Sequence, residues 1–369
     1  MTSIAVIKET KAGEDRVAIN ADAVKRYVAL GAKVVIERGA GVCSSIPDKD
    51  YEAMGATLAA NAAEALSGAD IVLKVSAPSA EELALIPRDS MLIGMLEPFA
   101  NKDLFAAYNQ KNISAFSLEM LPRISRAQAM DVLSSQSNLA GYRAVIEAST
   151  AFGKVVPMMM TAAGTVPAAK ALILGAGVAG LQAIATAKRL GAIVSAFDVR
   201  TAAKEQVESL GAKFIEVKAE ESGDAAGGYA KEMSDDYKRK QGELIAETLK
   251  KQDMVISTAL IPGKPAPVLI TEDMLKDMKP GSVIVDLAAA SGGNCPLTEA
   301  DKVVVKHGVT LIGYTNMPSR ASTDASNLYA RNLYNFLSTL IIPEAKWEDE
   351  LVVGTLLTRN GATVHKMFS

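Results

Sequence analysis

Cysteine, histidine and aromatic residues are scarce in this chain. Its 369 residues include two cysteines, Cys43 and Cys295, and two histidines, His307 and His365. None of the four falls at metal-ligand spacing, so no structural zinc site is expected, and two separated thiols suit a reducing cytosol. Aromatics are 5% of the chain while alanine and glycine abound, which suits closely packed helices on parallel sheets better than a β-sandwich. An excess of one charge is also lacking. The net charge is -3 and there is no long basic run, so neither nucleic acid nor an anionic membrane surface is implied as a direct partner. Long hydrophobic runs are missing too. The longest uncharged stretch, Ala171–Ala187, is glycine-rich and interrupted by Gln182 and Thr186, which makes it a poor membrane span. Met1 leads almost directly into apolar Ile4–Ile7, leaving no room for a signal or transit peptide, and the polypeptide itself is expected to be soluble.

What is present is alternation. In the first third, Ile4–Ile7, Lys33–Glu37, Ile71–Val75, Met91–Leu96 and Ala115–Leu118 have the pattern of short strands. Between them lie helical patterns at Asp22–Leu30, with Asn20 as cap, and Lys102–Gln110, with Asn101 as cap. A long helix is expected from about Ala127 to Phe152, with few breakers apart from Gly141. Strand patterns then resume at Ala171–Leu174, Val194–Asp198, Lys213–Val217, Met254–Ser257, Val283–Leu287 and Val309–Ile312, before a second helical stretch, Ala325–Leu340. The order predicts an α/β chain of two Rossmann-like domains with parallel sheets, the second inserted in the first and joined to it by long crossing helices. The expected boundaries are 1–136 with 320–369 for the first and 137–319 for the second. Met158-Met159-Met160, at the crossing, reads as core packing. The polar, glycine-bearing stretch Ala219–Asp236 reads either as a mobile functional loop or as a plain surface excursion.

The sharpest motif is Gly175-Ala176-Gly177-Val178-Ala179-Gly180, which follows one expected strand and opens the helix Val178–Leu190. A GxGxxG alone is weak evidence, but strand, glycines and helix in this order form the dinucleotide fingerprint. Gly175 permits the tight turn, Gly177 lets a pyrophosphate approach the backbone of Gly177, Val178 and Ala179, and Gly180 lets the helix pack close to the strand. The phosphate charge then meets the positive end of the helix. Asp198 ends the next strand, eighteen residues past Gly180, where an acidic side chain accepts hydrogen bonds from the adenosine ribose. A 2′-phosphate would meet that negative charge, so NAD(H) is expected over NADP(H). Arg200, beyond Val199, argues the other way because arginine often holds a 2′-phosphate, but Asp198 occupies the strand end itself. Gly39-Ala40-Gly41-Val42 repeats part of the pattern and then fails. Ser44 stands at the third glycine position and Ile46-Pro47-Asp48 blocks a helix start, so it reads as an ordinary turn, and one dinucleotide site is expected.

Beyond the glycine motif the sequence resembles one family over nearly its whole length. That family is the alanine dehydrogenases together with the NAD(H)-binding part of proton-translocating nicotinamide nucleotide transhydrogenase. The resemblance rests on Lys8-Glu9, Gly13-Glu14-Asp15-Arg16-Val17-Ala18, Lys74, the Gly175–Gly180 turn, Asp286, Gly292-Gly293 and Asn316-Met317-Pro318. Two departures separate the branches. Alanine dehydrogenases carry a catalytic histidine where this chain has Glu97-Pro98, and a catalytic aspartate where it has Ala290. Oxidising an amino acid requires proton transfer, and although Glu97 is itself a candidate base, nothing replaces the group at Ala290. Direct hydride transfer between two nicotinamides moves no proton at the reacting carbons and can rest on ring placement and exclusion of water.

The transhydrogenase branch is further marked by Met120-Leu121-Pro122-Arg123-Ile124-Ser125-Arg126-Ala127-Gln128-Ala129-Met130-Asp131 and Ser134-Ser135-Gln136-Ser137-Asn138. This run looks like the family's Arg–Gln–Asp loop at the nicotinamide end. The resemblance assigns Arg123, Gln128 and Asp131 to orienting the ring, Ser134 to its carboxamide, and Ile124, Ser125 and Arg126 to the same neighbourhood, with Gln128 the candidate for meeting the incoming NADP(H). Without the resemblance, the same residues fit a capped helix start with a local Arg123–Asp131 ion pair. Gly227-Gly228-Tyr229-Ala230-Lys231-Glu232-Met233 matches the family's mobile loop, with Gly227 and Gly228 as hinge and Tyr229 as cover near the adenosine. Gln241 and Leu260 are carried over as cofactor contacts, while Arg16 and Lys74, substrate ligands in the amino-acid dehydrogenases, are expected here to serve the fold or the cleft.

The resemblance implies an oxidoreductase subunit of a Re/Si-specific, proton-translocating transhydrogenase that binds NAD(H). It also implies NADP(H) on a partner component, a separate membrane proton-channel component and a homodimer. The chain would be cytoplasmic and attached peripherally to the inner membrane through its partners. With no second nucleotide fold and no membrane helix in the sequence, those components are expected on other polypeptides. The competing expectations are an NAD-dependent amino-acid dehydrogenase with altered catalytic groups, and a non-catalytic NAD sensor.

Overall fold

A computed structural model describes residues 1–217, 223, 233–261 and 263–369. Strands β1 (Ser3–Val6), β2 (Lys33–Glu37), β3 (Thr57–Ala59), β4 (Ile71–Leu73), β5 (Met91–Gly94) and β6 (Ser114–Ser117) come first. They are interleaved with helices α1 (Ala21–Ala29), α2 (Asp48–Ala53), α3 (Ala62–Leu66), α4 (Ala80–Leu85) and α5 (Leu104–Gln110). A 3-10 segment, Ser125–Met130, precedes the twenty-residue α6 (Val132–Ala151). Next come the hairpin β7 (Met159–Thr161) and β8 (Gly164–Val166), then β9 (Lys170–Leu174), α7 (Val178–Arg189), β10 (Ile193–Phe197), α8 (Ala203–Ser209) and β11 (Lys213–Ile215). They are followed by α9 (Asp235–Leu249), β12 (Met254–Ser257), α10 (Glu272–Lys276), β13 (Val283–Asp286), β14 (Val303–Lys306) and β15 (Val309–Ile312). The chain closes with α11 (Ser322–Phe336), α12 (Glu350–Thr355), β16 (Leu356–Arg359) and β17 (Ala362–Thr363). Contacts divide it into one unit of Met1–Gln136 with Pro318–Ser369 and another of Ser137–Met317.

Both units are Rossmann-like. In the first the strand order is β17-β16-β6-β5-β4-β1-β2-β3, parallel from β6 to β3, with β16 and β17 antiparallel at one edge. In the second it is β11-β10-β9-β12-β13-β15-β14, with only β14 antiparallel. Each sheet buries both faces, because period-2 alternation in a parallel sheet sends alternate residues to opposite helical layers. In the second unit Ala171, Ile173, Met254, Ile256, Val283 and Val285 join one core, while Leu172, Leu174, Val255 and Ile284 join the other. The first unit divides likewise, with Ile4 and Val6 on one face and Ala5 and Ile7 on the other.

Three sequence expectations need correction. The helix expected from Ala127 to Phe152 is two elements, since Asp131 is extended (ψ 95°) and its carboxylate accepts the Ser134 N–H at 2.9 Å, capping a helix that starts at Val132. The helix after Met91–Gly94 starts at Leu104, and Asn101 is not its cap, because its amide donates to the Leu96 carbonyl at 3.0 Å. Met158-Met159-Met160 is not core: the three are 61%, 44% and 77% exposed, on a hairpin whose strands bury neither face. The edge strand β14, with no buried position, and the two-residue β17 carry too little for periodicity to mark them.

Gly141, read from sequence as a breaker, has a different task. It lies where α6 meets α7, and a Cβ there would come within 2.0 Å of the Ala179 carbonyl oxygen. Gly153, by contrast, faces open space. Gly141→Ala is therefore expected to lower the urea unfolding midpoint by an amount equivalent to ~1–3 kcal/mol, the usual cost of overpacking. Gly153→Ala should leave it almost unchanged. Equal midpoints for the two variants would show that α6 and α7 tolerate separation.

Candidate functional site

In the second unit the chain runs β9, β10, β11 in one direction and restarts with β12 on the other side of β9. The strand order reverses between β9 and β12, and ligands of open α/β sheets bind outside the carboxyl ends of such strands. The glycine turn sits there. Gly175 adopts φ +95°, which the turn requires and which disfavours a side chain, and its N–H donates to the Phe197 carbonyl at 2.8 Å. A Cβ on Gly180 would lie 1.8 Å from the Gly175 carbonyl oxygen, so only glycine lets α7 pack on this turn. A Cβ on Gly177 would meet nothing within 4 Å, so the loop is open on that side. Val178 and Ala179 are half-buried in the first helical turn, whose N–H groups have no intrahelical acceptor. A tight turn, an open side and free donors at a positive helix end together fit a pyrophosphate.

Asp198 stands at the end of β10, 8% exposed, with both oxygens engaged. One accepts the Ala176 N–H at 2.7 Å and Arg200 Nη2 at 2.6 Å; the other accepts the Arg200 N–H at 2.9 Å and its Nε at 2.8 Å. Asp198 thus ties the turn to its neighbouring strand, and Arg200 is its partner rather than its rival. Between them the Val199 carbonyl accepts the Gly223 N–H at 2.8 Å. Gln241 is half-buried on α9, and Leu260 is 48% exposed on the loop after β12. Gly228 and Tyr229 lie outside the described residues.

Two bracing residues escaped the sequence reading. The Thr258 hydroxyl donates to the Leu174 and Gly175 carbonyls at 3.2 and 3.1 Å. Asn294, fully buried, donates to the Ala259 and Pro267 carbonyls at 2.9 and 2.8 Å and accepts the Ala259 N–H at 3.2 Å, which closes the loop bearing Leu260. The paired glycines before Asn294 were the available signal, since both have positive φ. Asp286, also fully buried, accepts from Ser257, Ala288, Cys295 and Thr298 and holds the same strand ends in place.

In the first unit, the segment Arg123–Ser134 carries the other expected residues. Arg123, Ser125, Arg126 and Gln128 are exposed, while Ile124, Asp131 and Ser134 are half-buried. Asp131 receives both the N–H and the hydroxyl of Ser134, so the capped helix start is real. Arg126 forks onto Asp349 at 2.9 and 2.7 Å and reaches Glu350 at 3.1 Å, and its hydrogen bonds hold the Asp349 carboxyl below the usual range. Arg16 and Lys74 are buried and paired, in keeping with a role in the fold. Arg16 donates to both Glu14 oxygens at 2.7 Å and to Gln136 at 2.9 Å, and Lys74 lies between Glu9 and Glu82 at 3.0 and 2.9 Å. Burial pushes the Glu9 carboxyl up, against the pull of Lys74. Among the described residues no cluster of His, Cys, Asp or Glu is arranged to hold a metal ion, and no helix is long and apolar enough to cross a membrane.

Glu97 is ion-paired to Lys11 at 3.0 Å, and its N–H donates to Glu119 at 2.9 Å.

Two Rossmann-like units, one of them bearing a dinucleotide turn, define a nucleotide-binding protein of the dehydrogenase class, and known proteins agree. The chain matches the family model described as alanine dehydrogenase/PNT, N-terminal domain, over residues 5–140, and the corresponding C-terminal domain over residues 144–366. It belongs to the alanine dehydrogenase/PNT family. Among similar proteins, an NAD(P) transhydrogenase subunit alpha polypeptide of Rhodospirillum rubrum is 56% identical, over 98% of this chain and 97% of that protein. The crystal structure of transhydrogenase from Sinorhizobium meliloti superposes with a TM-score of 0.88 at 48% identity, covering 99% of each chain. Alanine dehydrogenase of Methanococcus maripaludis is 31% identical over 87% of this chain and 83% of that protein. The chain is thus nearer to the transhydrogenase members of its family than to the dehydrogenase members.

Burial pushes the Glu119 carboxyl from the ordinary 4.5 up to about 7, despite hydrogen bonds from Ser117 and Glu97 that pull it down. Between those two values the folded chain keeps a proton that the unfolded chain releases, so this group's contribution makes stability fall as pH rises through the window. Glu119→Gln should flatten that part of the profile in melting experiments from about pH 4.5 to about 7.5, a range that brackets the window. An unchanged slope would mean that Glu119 does not carry it.

Proposed function

We propose that this chain is the NAD(H)-binding component of a proton-translocating transhydrogenase of the Re/Si-specific type. The supporting observation is a complete dinucleotide turn, anchored by Asp198, in a chain that has Glu97 and Ala290 where an amino-acid dehydrogenase has its acid–base pair. In this reading the pyrophosphate rests on the backbone N–H groups of Gly177, Val178 and Ala179 at the positive end of α7. Asp198 accepts from the adenosine ribose, with Val199 and Arg200 beside it, Gln241 and Leu260 add contacts, and Gly228 and Tyr229 cover the nucleotide. Arg123, Gln128 and Asp131 orient the nicotinamide end, with Ile124, Ser125, Arg126 and Ser134 around them.

Bound nicotinamide supplies the hydride chemistry: NADH and NADP⁺ become NAD⁺ and NADPH, or the reverse, with no proton exchanged at the reacting carbons. What remains for the protein is to hold one ring in place and keep water out, which requires donors and acceptors of fixed geometry rather than a general base. The second nucleotide resides on an NADP(H)-binding partner, and a membrane component couples the exchange to proton passage. The chain is a homodimer on the cytoplasmic face of the inner membrane, attached through those partners. The relative from Rhodospirillum rubrum is named as belonging to an alpha subunit, which supports a multi-component assembly.

Reconstitution with an NADP(H)-binding transhydrogenase component tests this, with reduction of an NAD⁺ analogue as readout. Gln128→Ala is expected to cut the exchange rate at saturating nucleotide by about tenfold or more, the scale of a misplaced reacting group, with NADH affinity intact. Unchanged exchange would remove Gln128 from the mechanism. Asp198→Asn should weaken NADH and raise the relative affinity for NADPH several-fold in fluorescence titrations, because it removes the charge that repels a 2′-phosphate. A constant ratio of the two affinities would dismiss Asp198 as the discriminator.

A further inference from the structure

The turn that bears Gln128 is held from outside itself. Six residues of 3-10 helix, Ser125–Met130, exceed the length at which that geometry is usually self-supporting. Two of them, Ala127 and Met130, are buried in the core of the first unit. The rest of the restraint is polar and comes from the C-terminal segment. Two residues before Gln128, Arg126 forks onto Asp349 and reaches Glu350. One residue after Gln128, the Ala129 carbonyl accepts from Asn332 and from Asn335, both at 2.9 Å. Asn332 is itself fixed by the Ser135 hydroxyl, which donates to it at 2.7 Å. Asp349 is fixed as well, since it caps α12 by accepting the Leu351 N–H at 2.9 Å. Gln128 stands between these anchors, and its exposed side-chain amide has no hydrogen-bond partner among the described residues.

Stability does not explain the arrangement. Arg126 is 45% exposed, and exposed ion pairs contribute little, typically ~0–1 kcal/mol. A bidentate guanidinium–carboxylate fork does fix direction, however, because two parallel bonds remove the rotation that one leaves free. A carbonyl gripped by two amides has its peptide plane fixed in the same way. The two grips flank one free, outward-facing amide.

We infer that Asp349, with Asn332 and Asn335, are positioning residues for Gln128, and that Arg126 is the anchor of this turn rather than a nucleotide contact. The inference rests on the reading of Gln128 given above. It extends the machinery to the C-terminal segment, in residues that the sequence offered no reason to single out.

The test uses the full chain with an NADP(H)-binding transhydrogenase component and follows reduction of an NAD⁺ analogue, together with NADH affinity and melting midpoint. Asp349→Asn keeps a good helix cap and loses the charged fork. It is expected to lower the exchange rate at saturating nucleotide by about tenfold, with NADH affinity and melting midpoint nearly unchanged. Arg126→Gln should do the same, and the double variant should be no worse than either alone, because both act through one interaction. Asn335→Ala, at a half-buried position, should slow exchange less, since Asn332 still holds Ala129. Additive effects of Arg126→Gln and Asp349→Asn would overturn the inference. So would weaker NADH binding in Arg126→Gln alone, or a loss of melting midpoint in Asp349→Asn that accounts for the lost rate. Gln128→Ala measured alongside separates the two levels. If it slows exchange and Asp349→Asn does not, positioning fails and the role of Gln128 stands; if it is neutral, both fall.

Discussion

Helix α7 rises directly from strand β9 because nothing stands between Gly180 and the Gly175 carbonyl. A single methyl there would sit 1.8 Å from that oxygen. That approach lets the first turn of α7 pack directly on the end of β9, with the side of Gly177 open, at the place where the strand order reverses. Asp198 then fixes the turn from the flank through Ala176, and Thr258 from the other neighbouring strand. The geometry of the turn is therefore a result of backbone packing, with side chains acting as braces. This is why three glycines at fixed spacing carry so much of the functional signal.

The first unit handles charge differently. It buries ionic groups, Glu9, Lys74 and Glu82 in one set and Glu14 and Arg16 in another, each partnered within hydrogen-bond distance. Buried ions are costly unless paired, and pairing makes them specific more than stabilising. The motifs Lys8-Glu9 and Gly13–Ala18 therefore read as the wiring of this unit's fold. Glu97, in the same unit, is by contrast half-exposed and paired only with Lys11 at 3.0 Å among the ion pairs of the described residues.

The expected strands of both sheets were legible because a parallel sheet buried on both faces leaves compact apolar runs, such as Ile71–Leu73 and Met254–Ser257. The glycine turn was legible because its conformation admits few residues. Gly141 was misread because a one-dimensional pattern registers a missing side chain only as weak helix propensity, whereas here it marks a helix crossing. The three methionines were misread for a related reason: apolar character says what a residue prefers, not what the chain has placed beside it. Thr258 and Asn294 were invisible because their partners are backbone carbonyls of segments distant in sequence.

By itself the sequence determined the α/β class, the position of the glycine turn, the acidic residue at the next strand end and the family. Each follows from a local constraint, either burial period or the steric limits of a turn, that a few consecutive residues express. Tertiary structure alone decided that Arg200 completes Asp198, that Asp131 divides one expected helix into two elements, and that Asp349, Asn332 and Asn335 grip the turn around Gln128. Those grips are hydrogen bonds between residues more than two hundred positions apart, and no local pattern encodes the partner of a side chain that the fold supplies from elsewhere.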